Sequence, residues 1–119
     1  MKTIDRKYRE SFRGSYCLIQ AMMGYEHTET TVGHHLHGRL RDDIQIPLSF
    51  YFHTGSPEGI HELGKKTWYN KYISMEDCEE IAEAGYIYWK KTGENWFTTR
   101  GFIEYIRGNY EKKENKSIN

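Results

Sequence analysis

The chain has little cysteine, no excess of charge of either sign and no long hydrophobic run. Its only two cysteines, Cys17 and Cys78, lie far apart and form no Cys-x-x-Cys pair. A zinc site made of four thiolates is therefore excluded. Free thiols in a reducing compartment are favoured over a single disulfide, which the two residues leave open.

The chain has 17 basic residues (lysine and arginine) and 17 acidic residues (aspartate and glutamate), so its formal net charge is zero. That balance argues against a general nucleic-acid coat protein, which would be basic overall, although it leaves room for a local basic face. The N-terminus has no apolar leader, and no stretch approaches the ~20 apolar residues of a membrane span. The sequence therefore predicts a soluble cytoplasmic protein that does not contact a membrane.

Aromatic residues are abundant by comparison. The 119 residues are 37% hydrophobic, yet 15% are aromatic, with ten tyrosines, five phenylalanines and three tryptophans. A chain of this length predicts one domain, and large rings give a small core much buried area per side chain.

The order of sequence patterns predicts an α+β fold, with two short strands followed mainly by helices. Thr30, Thr31 and Val32 favour a strand that enters His34 and His35, and Gly38 permits a turn. Alternation over residues 44–48 predicts a second strand, ended by Pro47. The patterns then predict helices over residues 61–73, from Ser74 to about Trp89 or Lys90, and from about Thr98 or Thr99 onward.

All six histidines lie between His27 and His61, which is typical of a metal-assisted hydrolytic site. Two or three neutral imidazoles can hold a divalent ion while another histidine takes a proton from water. Spacing alone leaves alternatives open: an exposed pair at His34 and His35, a core-edge His53 and a helix-start His61. His27 is expected on the surface, and His37 either beside the site or on the surface.

Residues 16–73 resemble the HNH (ββα-metal) endonucleases of the phage recombination-enhancement type. The matching segments occur in the family's order and with similar spacing. They are CLIQ at 17–20, GHHLHGR at 33–39, DDIQIPLS at 42–49, FH at 52–53 and GIHELGKKTW at 59–68.

The resemblance implies a role for each matching position. His35 would be the general base, and His34, His53 and His61 would hold one divalent ion such as Mg²⁺, Mn²⁺, Ni²⁺ or Zn²⁺. Asp42 would orient or support the site, with His37 as a second supporting residue. The phosphate-binding candidates are Arg39, Lys65 and Lys66. The implied division is an N-terminal arm (1–14), a small ββα-metal hairpin–helix core (15–73), additional C-terminal helices (74–110) and a tail (111–119).

The chain departs from the family pattern at the structural zinc. The four positions that would hold that ion are Cys17, Gln20, Ser49 and Phe52. Because three of the four are not ligands of the expected kind, no structural zinc is expected. An apolar plug, with Phe50 or Phe52 against Leu18, Met22 or Tyr16, is the predicted replacement.

These observations predict a metal-dependent DNA endonuclease encoded by a phage or prophage. The alternative is a catalytically silent HNH-like viral protein that binds and inhibits a host nuclease or defence complex. Such a binder would depend on aromatic residues such as Trp89 or Trp96, for which packing in the core is the favoured interpretation. A host or phage protein partner is compatible with either function. The aromatic stripe formed by Tyr86, Tyr88 and Trp89 suggests a homodimer.

Overall fold

The computed structural model describes residues 2–26 and 31–110, and it confirms an α+β fold. A two-stranded antiparallel hairpin lies among short helices and is followed by two longer ones. The elements are α1 (Arg6–Glu10), α2 (Leu18–Met22), β1 (Thr31–His35), β2 (Gln45–Ser49), α3 (Phe50–His53), α4 (Ile60–Leu63), α5 (Lys65–Lys71), α6 (Met75–Thr92), a 3₁₀ turn (Trp96–Thr98) and α7 (Arg100–Asn109).

The hairpin is the centre of the fold. Strand β1 pairs with β2 so that His34 lies opposite Ile46 and Gly33 opposite Pro47. Pro47 therefore lies inside the second strand and does not end it, contrary to the prediction. Every residue of β2 is buried because helices α2, α3 and α6 all pack against that strand. The hairpin is thus held by helices from both ends of the chain.

The N-terminal segment is not an irregular arm. It contains helix α1, and Tyr8 and Phe12, four residues apart, are 0% and 1% exposed. Residues at this spacing share one side of a helical segment, so two large rings enter the core while the arginines stay in solvent. The side chain of Asp5 caps α1 by accepting a hydrogen bond from the Tyr8 N–H. The pattern of basic residues concealed this apolar pair.

The predicted helix over residues 61–73 is divided into two by Gly64. This glycine has a φ of 89°, in the left-handed region that glycine adopts without strain, and it ends α4 before α5 begins. The two later helices match their predictions. Ser74 caps α6 by accepting from the Asp77 N–H, and Thr99 caps α7.

The core is rich in rings, as the composition predicts. Trp89 and Trp96 are partly buried against it, in agreement with the favoured interpretation of both residues. Cys17 and Cys78 are buried free thiols, and burial raises the pKa of Cys78 to about 12. No helix among the described residues is long and apolar enough to cross a membrane. His27, Thr30 and the tail at 111–119 lie outside the described residues.

Candidate metal centre and adjacent histidine

Three histidines from three different elements converge at one point. His34 belongs to β1, His53 is the last residue of α3 and His61 lies in α4. Each offers a ring nitrogen, and these nitrogens all lie within 4.8 Å of one another. The Nε2 atoms of His53 and His61 are 3.1 Å apart. The resemblance to HNH endonucleases implied this same trio as the metal ligands.

A glycine allows the two helical histidines to approach. A Cβ atom built on Gly59 would lie 2.8 Å from the main-chain oxygen of His53, which is closer than real Cβ contacts. The end of α3 and the start of α4 can therefore touch only because residue 59 has no side chain. This contact brings His53 and His61 together despite the loop between them.

The deepest of the three imidazoles is neutral at ordinary pH. His34 is 4% exposed, and its Nε2 has no hydrogen-bond partner. Burial, followed by the nearby His53, His61, Lys65 and His35, lowers the pKa of His34 to about 3. Burial and the neighbouring His61 also lower the pKa of His53. A neutral imidazole is the form that binds metal.

This donor set fits a divalent ion. A buried nitrogen without a partner is costly unless something binds it, and the free Nε2 of His34 is such an atom. Three imidazoles at about 2.1 Å leave further coordination positions open, as in catalytic zinc sites. Within residues 2–26 and 31–110, His34, His53 and His61 are the group of side chains that could hold an ion.

The fourth histidine of the site is held by a buried carboxylate. Nε2 of His35 lies 2.8 Å from Oδ1 of Asp42, which is 0% exposed. Because an ionised carboxylate only accepts, this contact places the imidazole proton on Nε2 and leaves Nδ1 with a free lone pair. His35 also lines the cavity of about 370 Å³ that contains the three other histidines. An imidazole with a free lone pair beside a candidate metal site is an arrangement that hydrolytic chemistry can use.

Asp42 is itself fixed by the N-terminal segment and by β2. Its Oδ2 accepts from the main-chain N–H of Asp5 at 2.8 Å, and its own N–H donates to the carbonyl of Thr3 at 2.8 Å. The side-chain amide of Gln45 donates to the Asp42 carbonyl at 2.7 Å. The orientation of His35 therefore depends on Thr3 and Asp5 near the start of the chain.

Asp5 is a supporting residue that sequence analysis missed. Its Oδ2 accepts from the Tyr86 hydroxyl at 3.0 Å and from the Trp89 indole N–H at 3.2 Å. These two bonds attach α6 to the segment that holds Asp42. An aspartate just before a helical run is a capping signal, and that signal at Asp5 could have been recognised in the sequence. Its link to Asp42 spans 37 positions and could not.

The other candidate residues are divided between the cavity and the surface. Arg39 and Lys65 line the cavity with the histidines, whereas Lys66 is exposed and is not among the lining residues. His37 is exposed and lies 2.7 Å from Glu79 of α6. His37 therefore does not support the metal site directly and instead joins the loop after β1 to α6.

Of the four positions that the resemblance aligns with a structural zinc, Cys17, Ser49 and Phe52 are buried and Gln20 is half-buried. Burial raises the pKa of the Cys17 thiol. Phe52 is buried and packs edge-on against Tyr72 at 5.5 Å, whereas Phe50 is 58% exposed. Of the two proposed plug residues, Phe50 is therefore the wrong one, and Phe52 is the buried ring.

No family model, curated protein or solved structure matches this chain. The likeness to HNH endonucleases is carried by the motif residues and their spacing.

Proposed function

We propose that this protein is a metal-dependent endonuclease of the HNH type, encoded by a phage or prophage, that hydrolyses phosphodiester bonds of DNA in the cytoplasm. The observation that carries the proposal is the placement of the His35–Asp42 pair on the cavity formed by His34, His53 and His61. A histidine cluster alone would suit many metal-binding proteins. A buried carboxylate that holds an adjacent imidazole in one tautomer is the support that a histidine general base uses.

In this mechanism His35 removes a proton from the attacking water through Nδ1. The water oxygen forms a bond to phosphorus, the bond from phosphorus to the 3′ oxygen breaks, and the leaving oxygen takes a proton from solvent. Asp42 stabilises the imidazolium that forms on His35 and prevents the ring from turning. When bound to His34, His53 and His61, a divalent ion supplies charge stabilisation for the phosphate and the leaving oxygen.

Arg39 and Lys65 supply positive charge at the same cavity. A guanidinium can bind two phosphate oxygens at once, whereas an ammonium acts as a compact point charge. Both would hold the scissile phosphate against His35. Lys66, which is exposed outside the cavity, is left with a peripheral contact to the nucleic acid at most.

The alternative function, inhibition of a host nuclease or defence complex, requires an exposed contact surface. Trp89 donates to Asp5, and Trp96 packs against Phe97, Phe102 and Tyr105. The two tryptophans considered for such a surface are thus engaged within the chain. This engagement argues against a silent binder whose contact surface depends on these two tryptophans.

The decisive experiment is cleavage of supercoiled plasmid by purified protein with Mg²⁺, Mn²⁺, Ni²⁺ or Zn²⁺, beside His35→Ala and the control His37→Ala. We expect metal-dependent nicking by the wild type and by His37→Ala. His35→Ala should lose about 10²- to 10⁴-fold in rate, the usual contribution of a general base, while still binding one ion. Absence of cleavage by folded wild-type protein with all four metals would refute the endonuclease and favour the silent binder.

A further inference from the structure

Two further depressions adjoin the cavity that contains the histidines. One shares Gly38 and Arg39 with that cavity and is also lined by Arg9. The other shares Gly33, His35 and His53 with it, and is again lined by Arg9. Because the depressions share lining residues in this way, the three form one continuous surface that includes His35. We call this surface the arginine track.

The arginine track is rich in cations without carboxylate partners. Arg9, Arg13, Arg39 and Lys65 line its three parts, and in the described parts of the chain none of them forms an ion pair. Two further charged residues line the track, one paired cation and one acid. Arg41 is bound to Asp43 at 2.9 Å, and Glu10 is the one acidic residue among those that line the track.

This accumulation of positive charge is notable because the whole chain is neutral. Of the 17 acidic residues, helix α6 carries five, and Glu79 of that helix contacts His37 at the edge of the track. The five are Glu76, Asp77, Glu79, Glu80 and Glu83. A protein with separated charges attracts a polyanion to one face and repels it from another, which orients the encounter as well as strengthening it.

The N-terminal part of the track is rigidly mounted. Arg9 lies in α1 and Arg13 four residues later, and both are exposed. Between and beside them, Tyr8 and Phe12 are anchored in the core, with ring centroids 5.1 Å apart in an edge-on contact. The guanidinium groups therefore extend from a fixed base, so that binding a ligand costs little ordering of the main chain.

We propose that Arg9 and Arg13 bind backbone phosphates of a nucleic-acid strand next to the phosphate that is cleaved. This inference rests on the proposed function, and it identifies the N-terminal segment as part of the substrate-binding surface. Arg39 and Lys65 hold the scissile phosphate, while Arg9 and Arg13 hold neighbouring ones along the arginine track. Cations distributed over three adjoining depressions suit a polymer, because a free mononucleotide would occupy one depression alone.

The test is equilibrium binding of fluorescently labelled single-stranded and duplex DNA in EDTA, measured by anisotropy over a series of salt concentrations. Arg9→Ala/Arg13→Ala is compared with Lys90→Ala/Lys91→Ala, a charge-matched control at the exposed end of α6. The slope of log K against log salt is negative, and loss of two phosphate contacts should reduce its magnitude by roughly 1.4 for single strands or roughly 1.8 for duplex. The control should bind as the wild type does.

A conservative variant separates phosphate binding from a structural role. Arg9→Lys/Arg13→Lys keeps both charges and should retain most of the affinity and the salt slope, whereas Arg9→Glu/Arg13→Glu should bind less than the alanine variant. The proposal would be overturned if Arg9→Ala/Arg13→Ala and the control Lys90→Ala/Lys91→Ala weakened DNA binding equally. Unchanged binding by the alanine and glutamate variants of Arg9 and Arg13 would also overturn it. Absence of DNA binding by the wild-type protein at low salt would also overturn the proposal. The binding assay contains no metal, so its result does not depend on whether the protein cleaves plasmid DNA. Failure of the proposed chemistry and failure of this inference can therefore be told apart.

Discussion

The main-chain N–H of Asp5 donates a 2.8 Å hydrogen bond to Oδ2 of Asp42, and the other oxygen of that carboxylate lies 2.8 Å from His35. The two aspartates connect the start of the chain to the candidate base. Asp5 also accepts from Tyr86 and Trp89 of α6. The hairpin, the N-terminal segment and the longest helix therefore meet at this pair of residues.

Replacement of Asp5 by alanine should destabilise the protein. The change removes the cap of α1 and leaves the Tyr86 hydroxyl and the Trp89 N–H without their acceptor. Loss of a cap and of hydrogen bonds to a charged group predicts about 1–3 kcal/mol less free energy of unfolding in urea denaturation. Glu10→Ala, at an exposed position, is the control, and its free energy of unfolding should stay within about 0.5 kcal/mol of the wild type. Equal stability of the two variants would disprove the role assigned to Asp5.

Replacement of Asp42 by asparagine should lower the cleavage rate without removing the metal. The Asp5 N–H still needs an acceptor, so the amide oxygen takes that position and the amide NH₂ turns toward His35. Nε2 of His35 must then accept, which moves the ring proton to Nδ1 and removes the lone pair that the base uses. We expect a loss of about 10²-fold or more. Asp43→Asn, which affects only the carboxylate bound to Arg41, serves as the control in single-turnover cleavage.

Substitution of any one of the three converging histidines should abolish tight metal binding. Calorimetric titration of the wild type with Zn²⁺ or Ni²⁺ should show one ion per chain, and an ion present at 100 times its Kd should stabilise the fold by about 2.7 kcal/mol. His53→Ala and His61→Ala should lose both effects, because two imidazoles then remain. His37→Ala should keep them, since that side chain is bound to Glu79. Metal binding that survives in His61→Ala would argue against this ligand set.

The free protein should lose stability in acid through His34. Its pKa is lowered from 6.5 to about 3 by burial and neighbouring positive groups. Between these values the unfolded chain binds a proton that the folded chain does not, so stability falls as pH decreases from about 6.5 toward 3. The expected slope is up to about 1.4 kcal/mol per pH unit.

Urea denaturation in EDTA from pH 7 to pH 4 measures this dependence. Since carboxylates also titrate in that range, the relevant quantity is the difference between wild type and His34→Gln. The variant cannot take up the proton and should show a shallower loss. His37→Gln, at an exposed position, should follow the wild type. Parallel curves for wild type and His34→Gln would contradict the assignment.

Several features of the fold were predictable because they depend on neighbours in the chain. The start of a helix at Ser74, the start of another at about Thr99 and the turn at Gly38 are local signals of this kind, and the structure contains all three. Predictions failed where a long-range contact overrode a local pattern. Pro47 continues β2 because helices cover the strand, and the basic residues around Tyr8 obscured a helix whose rings enter the core.

The sequence by itself determined which residue types could carry the chemistry: a histidine-rich stretch, a following acidic residue and basic residues nearby. Motif spacing left the role of each histidine open, and the resemblance to HNH endonucleases proposed His34, His53 and His61 as ligands. Only the tertiary structure decided that their nitrogens converge, that Asp42 holds His35 and that Asp5 holds Asp42. The physical reason is that burial and hydrogen bonding between distant segments arise only when the chain folds, and no local pattern records which carboxylate will meet which ring.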